Sequence, residues 1–115
     1  MADTQDFAPV RFSDPSVASP EPGLHRKVLA WSPALMLVHN TMELGWVGAR
    51  HSHPHEQVVY VLRGKIRFTI EQTTFDLNAG DSFLCPGGKM HEAAALEESE
   101  VLDVFTPYRE DYAKA

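Results

Sequence analysis

The stretch His51-Ser52-His53-Pro54-His55-Glu56-Gln57 places three of the chain's six histidines at alternate positions, beside a carboxylate and an amide. Alternate residues of a strand share a face, so His51 and His53 can present their imidazoles to one point. Borderline metals such as zinc, nickel, copper and iron favour that ligand. Glu56 is one position off and reads as a surface carboxylate. His55 has the right parity, but Pro54 interrupts the strand and makes parity a poor guide there. A further histidine, His91, follows the glycine-rich segment Gly80-Asp81-Ser82-Phe83-Leu84-Cys85-Pro86-Gly87-Gly88-Lys89-Met90. Asp103 sits inside the apolar run Val101–Phe105. An ionised carboxylate is costly there unless it is paired, hydrogen-bonded or near a cation, which makes Asp103 a candidate acid or base. By alternation Phe105 shares its face and can wall a small substrate. Arg109, just past Pro107, carries a planar fork suited to gripping a carboxylate at two points, or else is a solvated tail residue.

These side chains are far apart in sequence and need a frame to meet. After Leu24 the chain breaks into short runs rich in Val, Leu, Ile and aromatic residues, each stopped by Gly, Pro, Asn or charges, and strands are expected at 27–31, 35–42, 46–51, 57–62, 65–70, 73–77, 82–85, 91–95 and 100–105. No apolar stripe at helical spacing persists for the ten or so residues a globular helix needs. The fold class is therefore all-β, a sandwich or small barrel. Gly64, between two alternating runs, predicts a hairpin turn. Residues 1–23 carry Pro9, Pro15, Pro20 and Pro22 and read as an extended arm; Phe7, Val10 and Phe12 in it either fray or pack on the body or on a second subunit.

The 115 residues make one domain, residues 24–115 after the arm, large enough for an ordinary core. A net charge of −6 without a Lys/Arg cluster argues against a nucleic-acid partner. No apolar stretch approaches the roughly 20 residues that span a bilayer. The acidic opening lacks the apolar core of a secretory signal, and a single cysteine, Cys85, suits a reducing compartment, so a cytoplasmic protein is expected.

Gly45, His51, His53, Gln57 and Gly64, followed by Gly80, Pro86, Gly88 and His91, reproduce in order and spacing the two sequence motifs of the cupin superfamily. The resemblance implies a single-domain, double-stranded β-barrel of jelly-roll type, with His51, His53, Gln57 and His91 converging on one divalent transition metal (Zn, Ni, Mn or Fe). Gln57 stands where cupins usually have glutamate, and Ala95 where asparagine is frequent. With only neutral ligands, such an ion keeps its full charge, attracts anions and polarises oxygen ligands. A closer similarity runs through His-Ser-His-Pro-His-Glu-Gln at 51–57, Gly-Lys-Ile-Arg-Phe-Thr-Ile at 64–70 and Val-Leu-Asp-Val-Phe-Thr-Pro-Tyr-Arg-Glu-Asp-Tyr at 101–112. These resemble the small KdgF-type cupins of pectin and alginate breakdown, which convert 4,5-unsaturated uronates into linear keto-uronates and use three histidines and a glutamine. The resemblance implies Asp103 and Arg109 as catalytic residues, Phe105 and Arg109 as substrate contacts, a small anionic sugar as partner and a homodimer. Another metal-dependent cupin enzyme (cyclase, lyase or dioxygenase) and a non-catalytic sugar- or anion-binding cupin are the alternatives; the chain lacks appended DNA-reading helices that would serve a sensor.

Overall fold

The computed structural model of the chain describes residues 7–114; the first six residues of the expected arm lie outside them. Ten strands follow in order: β1 (Ala18–Glu21), β2 (Leu24–Ser32), β3 (Leu35–Met42), β4 (Val47–His51), β5 (Glu56–Arg63), β6 (Lys65–Ile70), β7 (Thr73–Asn78), β8 (Ser82–Cys85), β9 (His91–Ala95) and β10 (Ser99–Thr106). A single helical turn, α1 (Glu110–Ala113), closes the described chain. Six strands form one sheet in the order β1-β2-β3-β10-β5-β8 and four form a second, β4-β9-β6-β7. Strand pairs are antiparallel throughout. No described strand pair hydrogen-bonds one sheet to the other, so the jelly roll is a two-sheet sandwich rather than a continuously bonded barrel.

Period-two patterning decides which side chains meet between the sheets. On β10, Val101, Asp103 and Phe105 are buried while Leu102 and Val104 are only half-buried. On β5, Val59 and Val61 are buried and Val58, Tyr60 and Leu62 are exposed. The inward set joins Ile66, Phe68, Leu77, Cys85 and Ala95 in the main core. Fully burying one such aliphatic or aromatic side chain stabilises by about 1.5–3 kcal/mol, so the alternation fixes register as well as fold.

Gly64 is not a hairpin turn. It is a corner: β5 belongs to the larger sheet and β6 to the smaller, and one residue carries the chain between them. Its φ of +91° is a conformation L side chains avoid. A Cβ there would also collide with Ser99 Oγ and the Glu98 carbonyl. At the other end, β1 lies within the expected arm, paired with β2 at the sheet edge, the position at which a strand tolerates a proline such as Pro20. Phe12 also touches the body. Its ring stands edge-on to His39 at 4.9 Å, and the Lys27 ammonium sits 3.9 Å above it. Phe7 is exposed.

Candidate metal centre and substrate pocket

His51 ends β4 and lies directly opposite His91, the first residue of β9. His53 is in the loop beyond β4, so it is loop packing rather than strand parity that turns it toward the other two. That packing depends on the second glycine-rich segment. The Gly88 N–H donates to the His53 carbonyl at 2.8 Å, and a Cβ on Gly87 would collide with the Pro54 carbonyl oxygen. Gly88 itself has φ +84°. The two histidine segments are thus pressed together backbone to backbone, which only glycines allow.

The three rings are locked in one tautomer. Nδ1 of His51 donates to the Ala49 carbonyl at 2.8 Å, that of His53 to the His55 carbonyl at 3.1 Å, and that of His91 to the Lys89 carbonyl at 3.0 Å. A carbonyl only accepts, so each Nδ1 carries a proton, and Nε2 is the nitrogen left for a metal. Ligand atoms of His51, His53 and His91 lie within 4.8 Å of one another. Burial, the charge of Arg109 and the neighbouring His91 pull the His53 pKa down to about 4, against its backbone hydrogen bond. Burial likewise lowers that of His91, with its bond to the Lys89 carbonyl opposing. Imidazoles oriented by such backbone bonds, with Nε2 left over, suit a metal ion, and these three residues could hold one.

Gln57 and Asp103 approach from the larger sheet. Gln57 pairs with Phe105 across β5 and β10, and Asn40 with Val101 across β3 and β10, so both amides are diagonal neighbours of Asp103 on the inner face. Gln57 Nε2 donates to Asp103 Oδ1 at 2.8 Å and Asn40 Nδ2 to Oδ2 at 2.6 Å. With its amide nitrogen held this way, Gln57 has Oε1 left for another partner. Asp103 is only 5% exposed. Burial raises its pKa, while the two amide bonds and the charges of Arg26 and Arg109 act in the opposite direction.

These groups surround one cavity of about 280 Å³, lined by His51, His53, Gln57, His91, Asp103, Phe105 and Arg109. Every site residue expected from the sequence is therefore on its wall. Arg109 is braced: its Nε and Nη2 donate to Asp111 at 3.2 and 3.0 Å, and its guanidinium lies 4.1 Å from the Tyr112 ring centroid. His55 is outside the group of three imidazoles, and Glu56 is exposed. Cys85 is fully buried, and burial followed by the charge of Asp103 pushes its thiol up to about 11, so it is no nucleophile.

Sequence reasoning missed Arg26 and Asn40, which line the same cavity together with Trp46 and Tyr112. Arg26 was hidden in the charged triplet His25-Arg26-Lys27. The available signal was parity, since Leu24, Arg26 and Val28 share the inner face of β2.

A cupin-domain model matches residues 38–105, more than half the chain, and the chain belongs to the cupin family. Within it, the pectin degradation protein KdgF of Dickeya dadantii (strain 3937) is 37% identical over 92 residues, covering 78% of this chain and 84% of that protein. The structure of KdgF from Halomonas sp. superposes with a TM-score of 0.87 at 36% identity, covering 93% of this chain and 99% of that one. An RmlC-like cupin from Shewanella frigidimarina NCIMB 400 gives the same TM-score at 30% identity, with 94% and 97% covered.

Proposed function

We propose that this cupin opens the ring of 4,5-unsaturated uronate monosaccharides, giving linear keto-uronates, in pectin or alginate breakdown. The observation that carries the reading is the buried Asp103, bonded to Gln57 and sharing a single-sugar-sized cavity with three oriented imidazoles. The similarity to KdgF proteins supports it. His51, His53, His91 and Gln57 Oε1 would hold one divalent transition metal, of the zinc, nickel, manganese or iron kind. Such an ion supplies Lewis-acid polarisation of substrate oxygens and a fixed positive charge.

The chain's own residues supply the rest. The substrate is a cyclic enol ether with a carboxylate on carbon 5 and a free anomeric hydroxyl. Asp103 takes the anomeric proton as the bond from carbon 1 to the ring oxygen breaks, leaving an aldehyde at carbon 1 and an enolate across carbons 4 and 5. The same carboxyl returns the proton to carbon 4, and carbon 5 becomes a ketone. Atoms and oxidation level are conserved. Burial raises the basicity of Asp103, which suits the first transfer, and Phe105 keeps that side of the ring out of water. Arg109 places positive charge beside the substrate's carboxylate. An acidic protein binding an acidic sugar needs such local charge.

The same reading includes a cytoplasmic homodimer. Cys85 as a free thiol fits a reducing compartment. Exposed Val58, Tyr60, Leu62 and Leu84 on the outer face of the larger sheet offer an apolar patch, with Val58 opposite Leu84. A monomeric mass by light scattering would remove the dimer.

The function is tested by following the conjugated absorbance of the unsaturated uronates made from galacturonate and alginate polymers. Metal-loaded protein is expected to accelerate its loss over the spontaneous reaction without consuming oxygen, and chelation to abolish the gain. No acceleration, or stoichiometric oxygen uptake, overturns the assignment.

A further inference from the structure

The wall of the cavity formed by β2 and β3 carries polar groups that nothing in the protein satisfies. Arg26 lies opposite Asn40 in the β2–β3 ladder, and its guanidinium covers the Tyr112 ring at 3.7 Å. Its Nε is buried without a hydrogen-bond partner, and its side chain forms no hydrogen bond or ion pair among the described residues. Asn40 and Trp46 line the same cavity, and Asn40 Oδ1 and Trp46 Nε1 are also buried without partners. A buried polar group left unmatched is costly, and three on one cavity mark a surface built for a polar ligand. Arg109 differs: two of its donors already hold Asp111.

We propose that Arg26 binds the substrate's carboxylate at two points, with Arg109 as the charge beside it. The assignment rests on the ring-opening reading, because the carboxylate on carbon 5 must lie next to the carbon that Asp103 protonates. The sheet order supports it. Strands β2 and β10 flank β3, so the Arg26 and Asp103 backbones are about 10 Å apart, two strand spacings, and both residues line the one cavity. Arg26 also lies near enough for its charge to favour ionised Asp103. Stacking on Tyr112 holds the guanidinium plane, leaving its edge for a planar anion.

The test compares wild type, Arg26→Ala and Arg26→Lys on the unsaturated uronate and on its methyl ester, with folding checked by circular dichroism. Arg26→Ala is expected to raise KM for the acid about 10- to 100-fold, the worth of hydrogen bonds to a charged group, with kcat changing far less. The wild-type preference for acid over ester should collapse in Arg26→Ala. Arg26→Lys, which keeps the charge and loses the fork, should recover only part of it. An active wild type with an unchanged KM and acid/ester ratio in folded Arg26→Ala or Arg26→Lys overturns the Arg26 assignment alone. A wild type that opens neither compound overturns the ring-opening reading and this inference with it.

Discussion

The two ends of the cavity are held in opposite ways. At the histidine end each ring is fixed by a backbone carbonyl two residues away, as His51 is by Ala49 and His91 by Lys89. At the arginine end, side chains from β2, β3 and β10 meet only across the sheet, and Arg26 and Asn40 retain unmatched atoms. Local bonds give an end that is rigid before anything binds. Cross-strand placement gives an end whose polar groups are completed by what binds. The first arrangement suits an ion, and the second suits an organic anion.

The largest effect should fall where the two ends join, at Asp103. Asp103→Asn keeps the size of the side chain and removes its ability to carry a proton; ring-opening kcat is expected to fall by about two to four orders of magnitude with metal content unchanged. Kinetics and metal analysis of the same sample check this, and full activity would end the acid/base role. Next in size, Gly87→Ala attacks only the histidine end. It pushes Pro54, and with it His53, out of place. Stability should fall by about 1–3 kcal/mol and metal affinity by about 10- to 100-fold. Denaturant melts and metal titration read these two losses, and an unchanged metal affinity would show that the glycine contact does not position His53.

The smallest effect is on pH dependence. Burial, followed by the charge of Arg109, holds His53 at about 4 in the folded chain against an ordinary value of 6.5. Between those values the unfolded chain binds the extra proton, so this contribution to stability is complete above pH 6.5 and declines as pH falls toward 4. His53→Ala should flatten that part of the curve in chelator-treated protein. Thermal midpoints measured from pH 7 to 4 would show it, and parallel curves would mean the ring is not held neutral by its surroundings.

The same contrast explains how much could be read from the sequence. His51, His53 and His91 were legible because their spacing, with Gly87 and Gly88 between, is written locally. Asp103 was legible because a lone carboxylate between Leu102 and Val104, inside an apolar run, is conspicuous. The strands at 35–42, 65–70, 82–85 and 91–95 were legible to the residue, since alternation and turn residues bracket them. What escaped depends on partners remote in sequence. Arg26 acquires its meaning from Asn40 and Tyr112. Ala18–Glu21 lacks alternation and carries Pro20, so only the exposed edge of β2 makes it a strand. Gly64 signals a reversal equally well for a hairpin or for a change of sheet; the difference lies in Ser99 and Glu98, which crowd it. The turn at 110–113 is too short for any periodic pattern.

His51 and His91 hang from the smaller sheet, whereas Gln57 and Asp103 hang from the larger. The division makes the centre a seam joining two halves, absent from either half alone. On the proposed ligand set, a chain with one layer still open would present the imidazoles without Gln57 and Asp103 beside them, and the complete centre would form only as the layers close.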